Sequence, residues 1–279
     1  MKRCDLHTHS YCSDGSFAPS EIVKLAEKAG VSAVALTDHN TAKGLAEFTE
    51  AGARSGVITV AGCEFSTDYN GTELHIVGLF FPRESWKEIE DFVELTNIAK
   101  KNSNLRLIEA LQNEGFDIRY EEVAAITDAD EFNRAHVARV MTEKGYVNSV
   151  DEAFNTYLKE SNGLYVPPKR ISAFATVEFI KNYGGVAVIA HPFLNLSYDG
   201  LLEFLPEAKK RGLDATETRY STFTEAETKQ AEELAERFGL LQSGGSDFHG
   251  IAKPDIELGT GRGELFVPFE FYEKLKERA

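Results

Sequence analysis

Short apolar runs of strand length recur along this chain, and most of them stop on histidine or carboxylate. Ser32 to Leu36 runs into Thr37-Asp38-His39, Val57 to Ala61 leads to Glu64, and Val186 to Ala190 meets His191-Pro192. Leu240 to Ser243 enters Gly244-Gly245-Ser246-Asp247-Phe248-His249. Between these runs lie stretches with helical spacing. Pro19 to Ala29 carries Ile22, Val23, Leu25, Ala26 and Ala29 and is closed by Gly30. Thr41 to Ser55, Ala175 to Tyr183, Tyr198 to Arg211, Thr224 to Phe238 and the tail from Pro268 read the same way. Such alternation predicts an α/β fold, a mostly parallel sheet with helices packed outside. Strand candidates fall near residues 4, 34, 59, 77, 188, 216 and 241. Seven strands of this kind suggest a closed, irregular barrel whose active site lies at the strands' C-terminal ends.

The alternation lapses after Glu84. Trp86 to Gly115 reads as one or two long helices, followed by amphipathic stretches at Tyr120–Ile126, Ala135–Lys144 and Val150–Lys159. No strand pattern interrupts them, and Val166-Pro167-Pro168-Lys169 marks their end, since proline breaks both helix and ladder. The expected organisation is a barrel domain over 1–98 and 165–279, with a helical insertion over 99–164 capping the active site.

The polar residues are not scattered. Six of the seven histidines sit at or just past a predicted strand: His7, His9, His39, His75, His191 and His249. Asp14, Asp38, Glu64 and Asp247 occupy matching places. His7 and His9 are one residue apart, so on extended backbone they point to the same side. His75 stands out because it falls near the start of its segment; that strand either runs antiparallel or begins late. A catalytic divalent cation takes about three protein ligands plus water. This donor set therefore exceeds one ion and suffices for two or three if Glu64 and Asp247 bridge. Nitrogen and oxygen donors fit manganese, iron or zinc.

Composition narrows the partners. The formal charge of −15 disfavours long nucleic acid, where a basic surface supplies most of the affinity. A small anionic substrate remains compatible, because bound cations reverse the sign locally. No apolar run approaches the ~20 residues of a bilayer span, so no membrane partner is expected. The N-terminus shows no signal-peptide pattern, and three cysteines without a Cys-x-x-Cys motif suit a cytoplasmic location.

Taken in order, His7-Thr8-His9 with Ser13-Asp14-Gly15, Thr37-Asp38-His39, Gly62-Cys63-Glu64, His75-Ile76-Val77-Gly78, Ala190-His191-Pro192 and Gly245-Ser246-Asp247-Phe248-His249 resemble the motif series of the PHP (polymerase and histidinol phosphatase) family. The resemblance implies a distorted (β/α)7 barrel with a helical insertion, holding a trinuclear metal centre. It assigns His7, His9, Glu64 and Asp247 to one ion, with Glu64 bridging to a second held by His75 and His191. Asp14, His39 and His249 would hold the third. Glu64, Asp247 and His191 would stand at the reacting atoms, and Asp38 would orient a neighbouring imidazole.

Within the family, the insertion resembles that of the stand-alone phosphoesterases, which include 3′,5′-nucleoside bisphosphate phosphatases and 5′-3′ exoribonucleases. Asn133-Arg134-Ala135-His136 resembles that branch's insertion motif, and Lys169 matches its basic residue after it. Arg134, His136 and Lys169 are thus the candidate substrate contacts, Arg134 foremost because its planar fork grips two phosphate oxygens. Thr216-Glu217-Thr218-Arg219-Tyr220 departs from the Glu-Val pattern usual at that strand. The expected function is hydrolysis of a phosphomonoester on a small phosphorylated substrate, a nucleotide or short oligoribonucleotide, by metal-activated hydroxide. The alternatives are a histidinol-phosphatase-like or amidohydrolase-type metal hydrolase and, last, a non-enzymatic metal-binding module.

Overall fold

The computed structural model describes residues 2–127 and 132–279. By contacts the chain divides into two compact units, Met1–Phe92 with Ile171–Ala279, and Val93–Arg170. The strands are β1 (Cys4–Asp5), β2 (Ala33–Leu36), β3 (Ile58–Tyr69), β4 (Thr72–Leu79), β5 (Ile171–Ser172), β6 (Val186–Ile189), β7 (Ala215–Tyr220) and β8 (Leu241–Gly245). The α-helices are α1 (Pro19–Lys28), α2 (Leu45–Gly52), α3 (Trp86–Asn113), α4 (Tyr120–Ala124), α5 (Arg134–Glu143), α6 (Val150–Ala153), α7 (Ala173–Asn182), α8 (Pro192–Asn195), α9 (Tyr198–Lys210), α10 (Glu225–Phe238) and α11 (Phe269–Lys276). Among the described residues no helix is long and apolar enough to cross a membrane.

The first unit is built on a nearly closed barrel. The sheet order is β1-β2-β3-β4-β6-β7-β8, and the short β5 pairs with β3 off this path. Closure comes through backbone contacts between β1 and β8: Leu6 N–H donates to Gly244 O at 3.1 Å and Asp247 N–H to His7 O at 2.9 Å. Thr8 then bridges Phe248 in parallel. One face of the strands supplies a single buried cluster, including Ala33 and Ala35 of β2, Val77 and Leu79 of β4 and Val186 and Val188 of β6. Tyr272 and Leu275 of α11 join that cluster. The segment leading into α11 runs beside the start of β1, where Cys4 N–H donates to Val267 O at 3.0 Å. The tail helix therefore plugs the end of the barrel opposite the strands' C-terminal ends.

The barrel is not all parallel. β4 pairs antiparallel with both β3 and β6. The cause is local: β3 runs past Glu64 to Tyr69 and turns through Asn70 (φ 53) and Gly71 (φ 82). Two consecutive left-handed residues, Asn then Gly, make the tight turn whose twist matches a hairpin. The parallel reading of strand three stops too early because it leaves this dipeptide out. Reversal explains His75, whose early position on β4 lies at the same end of the barrel as the late positions of the parallel strands.

The second unit is helical in its described residues. Leu107, Leu111, Phe132, Val137, Met141 and Leu158 share one buried core. Asn133 caps α5 by accepting from the N–H groups of Ala135 and His136. The stretch expected as one amphipathic helix from Val150 is α6 followed by a π-helical turn over Phe154–Leu158.

Barrel closure leaves no room at Gly245. A Cβ there would lie 2.4 Å from His7 Cβ and 2.5 Å from His7 N. Gly245→Ala is expected to destabilise the protein by about 1–3 kcal/mol, as overpacking does. At Gly56 the nearest atom to such a Cβ is Glu27 Oε1 at 3.9 Å, so Gly56→Ala should stay within about 0.5 kcal/mol. Equal denaturant midpoints for the two variants would contradict this closure.

Candidate metal centre

Each polar residue at the barrel mouth is delivered by a strand end. β1 is held by Asp5, whose buried carboxylate accepts from Ser246 N–H at 2.8 Å, Ser246 Oγ at 2.6 Å and Gly259 N–H at 2.7 Å. That anchorage sets the stretch carrying His7 and His9 beside the Asp247 loop. His191 (φ 27) and Asp247 (φ 57) lie in the left-handed region although neither is glycine. Such backbone is strained and persists only where the surroundings enforce it. At His191 the enforcing contact is its N–H, donated to Glu217 Oε2 at 2.6 Å.

Glu64 lies at the centre, with no exposed surface. Its Oε1 is 2.8 Å from His75 Nδ1 and 3.0 Å from His191 Nε2. Its Oε2 is 3.1 Å from His7 Nε2, 3.2 Å from His9 Nε2 and 3.1 Å from His39 Nδ1. Asp247 Oδ1 stands 3.2 Å from His9 Nε2 and 3.4 Å from His249 Nδ1. On the far side, Asp14 Oδ1 is 3.1 Å from His249 Nε2 and Asp14 Oδ2 is 3.8 Å from His39 Nε2. All nine residues singled out as ligands thus meet at one end of the barrel. They offer three overlapping donor groups: His9, Asp14, His39 and His249; His7, His9 and Glu64; and His39, Glu64 and His75. His39, assigned by the resemblance to a single ion, reaches both Asp14 and Glu64.

The donors fit divalent cations. His7 Nε2, both ring nitrogens of His9, His39 Nδ1, His191 Nδ1 and Glu64 Oε2 are buried without a hydrogen-bond partner. Each unsatisfied buried group costs about 1–3 kcal/mol, so a cluster of them requires a common partner. Metal–ligand bonds of about 2.0–2.2 Å set neighbouring donors roughly 3 Å apart, the spacing found around Glu64 Oε2.

Residues that sequence reasoning missed lie against the donors. Glu217 Oε1 lies 2.9 Å from His7 Nδ1, turning Nε2 towards Glu64, while the other oxygen takes the His191 N–H. Tyr220 Oη donates to Asp247 Oδ2 at 2.7 Å, and Lys253 Nζ donates to the same oxygen at 2.7 Å. Asp247 therefore presents Oδ1 to the imidazoles and commits Oδ2 elsewhere. A carboxylate inside the buried run of β7 was the available signal for Glu217. Asp38 is tied to the loop after β1, its carboxylate accepting from Ser10 N–H (2.7 Å), Ser10 Oγ (2.6 Å) and Ser13 Oγ (2.6 Å), while the neighbouring imidazole whose charge acts on it is His9. Asp38 braces the loop that carries Asp14.

Electrostatics follow from burial against pairing. Burial alone would raise the carboxyl pKa values of Glu64, Asp14 and Asp247, but the surrounding cationic groups hold all three well below the usual range. Burial likewise opposes charge on His7, His9 and His75, yet neighbouring carboxylates win. His7 is raised well above its ordinary value, His9 to about 9 and His75 to about 10. For His39 burial prevails and the value falls to about 3.

Arg134, His136 and Lys169 belong to the second unit. Arg134 opens α5, donates from Nη1 to Leu158 O at 3.2 Å and stacks 4.1 Å from the Tyr165 ring centroid. His136 is buried, and its Nδ1 accepts from Asn133 N–H at 3.0 Å, so it shares in capping the helix. Lys169 is exposed after Pro167-Pro168.

The profile of the PHP domain family matches residues 5–167. The 5′-3′ exoribonuclease Rnm of Escherichia coli is 32% identical over 268 residues, spanning 95% of this chain and 89% of that protein. The 3′,5′-nucleoside bisphosphate phosphatase of Chromobacterium violaceum is 28% identical, spanning 93% and 91%. Among solved structures, one of a protein assigned as a metal-dependent phosphoesterase from Bifidobacterium adolescentis superposes with a TM-score of 0.87 at 26% identity, over 100% of this chain and 96% of that one.

Two outcomes follow from the geometry. Glu217→Gln weakens the hold on His7 and is expected to lower metal affinity about 10–100-fold with the fold intact; unchanged affinity in a chelator competition would contradict the orienting role. Imidazoles that are protonated without metal must release protons to bind it. Affinity should therefore rise between pH 6 and 8, by up to about tenfold per pH unit for each proton released. Calorimetry in buffers of different ionisation heat reads that release, and none would contradict the raised values.

Proposed function

This chain belongs to the PHP domain family, and we propose that it removes phosphate from a phosphomonoester on a small nucleotide, such as a 3′,5′-nucleoside bisphosphate or the end of a short oligoribonucleotide. It is a metal-dependent hydrolase acting on phosphoester bonds. The observation that carries the metal chemistry of this reading is Glu64, buried among five imidazole nitrogens at 2.8–3.2 Å, with its Oε2 lacking a hydrogen-bond partner. Glu64 and the imidazoles around it would hold divalent cations, and the number and type of donors favour two or three ions of manganese, iron or zinc. When bound, such cations polarise a phosphoryl oxygen and supply a nucleophile at neutral pH.

The chain's own groups do the rest. Glu64 and Asp247 keep the reacting end anionic enough to hold cations, and His191, fixed through its backbone by Glu217, faces the same point. A cleft of about 180 Å³ opens there, lined by His39, Glu64, His75, His191 and Asp247 among others. That volume suits a phosphate and part of a sugar rather than a duplex. The excess of acidic residues, 45 against 30 basic, favours short substrates over long ones. In the second unit, Arg134 and Lys169 remain the candidate phosphate-recognising residues. Arg134 gives one donor to Leu158 and keeps others in its fork. His136 serves beside them by fixing the start of α5.

The test is a substrate panel on manganese-loaded protein. Release of phosphate from a nucleoside bisphosphate, abolished by chelation and restored by metal, is the expected result. Turnover of histidinol phosphate or an amide alone would replace the reading, and turnover of nothing would remove it. Arg134→Ala should lower kcat/KM for the nucleotide by about 10–100-fold, the worth of a charge-assisted contact. An unchanged value would take Arg134 out of the substrate site.

A further inference from the structure

Two polar side chains in the cleft are not accounted for by holding cations. Lys253 follows the 3-10 turn Gly250–Ala252, and its Nζ donates to Asp247 Oδ2 at 2.7 Å. An ammonium has three donors. Its side chain is 41% exposed and lines the cleft, so donors not used on Asp247 remain for a molecule that enters that space. Nor does Asp247 need Lys253 for satisfaction, since Tyr220 Oη already donates to the same oxygen at 2.7 Å. Among the described residues lining the cleft, Lys253 is the one lysine or arginine. Asn195, at the end of α8 just after His191, lines the same cleft. Its Oδ1 is buried and accepts no hydrogen bond. A buried acceptor of this kind calls for a donor, and the cleft that Asn195 lines is where one can enter.

We propose that Lys253 and Asn195 form a substrate subsite on the barrel: Lys253 Nζ donates to a phosphate oxygen, and Asn195 Oδ1 accepts from a hydroxyl on the alcohol side of the ester. The substrate class is then a phosphoester whose alcohol carries a neighbouring hydroxyl, a ribonucleotide in preference to its deoxy analogue. Sites built to pair with a substrate hydroxyl reject the analogue lacking it, because the acceptor is left buried and unpaired. The inference rests on the phosphoesterase reading above.

Phosphate binding separates the two. Manganese-loaded wild type, Lys253→Gln and Lys253→Arg are titrated calorimetrically with inorganic phosphate, and the metal content of each is measured. Lys253→Gln should weaken phosphate binding by about 10–100-fold at unchanged metal content, the range of a charge-assisted hydrogen bond. Lys253→Arg should recover most of it. Unchanged phosphate affinity, or a loss that tracks lost metal, overturns the role of Lys253. For Asn195, kcat/KM is compared for adenosine 3′,5′-bisphosphate and its 2′-deoxy analogue. Wild type should prefer the ribonucleotide, and Asn195→Leu should bring the ratio close to one by slowing that substrate. Indifference of the wild type to the hydroxyl, or a preference that survives the substitution, overturns the role of Asn195. If neither nucleotide is hydrolysed, the functional reading fails. The phosphate titration still decides Lys253, and competition against phosphate by the ribo and deoxy nucleotides decides Asn195.

Discussion

Burying Glu64 is the constraint from which the architecture follows. A carboxylate with no exposed surface is stable only if its charge is matched. Here the matching is done by imidazoles brought from β1, β2, β4 and β6 and the loops after them, which no local segment could supply. The barrel is the device that makes these strand ends converge. Its closure sets His7 beside Asp247 through a single backbone hydrogen bond of 2.9 Å. The same closure forbids a side chain at Gly245, so the geometry of the centre and the integrity of the sheet are one condition.

Around that centre the structure divides labour between oxygens of the same carboxylate. Asp247 turns one oxygen to the imidazoles and gives the other to Tyr220 and Lys253. Glu217 spends one on the His7 ring and one on the His191 backbone. Each arrangement fixes which lone pairs face the reacting space, a form of preorganisation that leaves little to rearrange when cations arrive. Strain at His191 and Asp247 is consistent with this, since both residues adopt unfavourable backbone to aim their side chains.

The residues gathered at the barrel mouth were legible because strand ends are punctuated in the sequence: an apolar run stops, and a histidine or carboxylate follows. His7, His39, His191 and His249 could be placed that way without knowing which strands are neighbours. Direction was harder. His75 showed only that β4 was irregular, and the Asn70-Gly71 turn needed to resolve it lay beyond the point where the β3 run loses its apolar character. Partners distant in sequence were not legible. Asp38 meets Ser10 and Ser13 across 25 residues or more, and Glu217 meets His7 across 210, so their roles depend on sheet order rather than on spacing. Lys253 sits in a loop of ordinary composition and gains its meaning only from the cleft it enters.

The most direct measurement of the central claim is anomalous diffraction from crystals grown with manganese. The expected result is manganese peaks within bonding distance of Glu64, among the His7, His9, His39 and His75 nitrogens. Peaks away from Glu64, or an ordered Glu64 hydrogen-bonded to the imidazoles with manganese bound elsewhere, would contradict it.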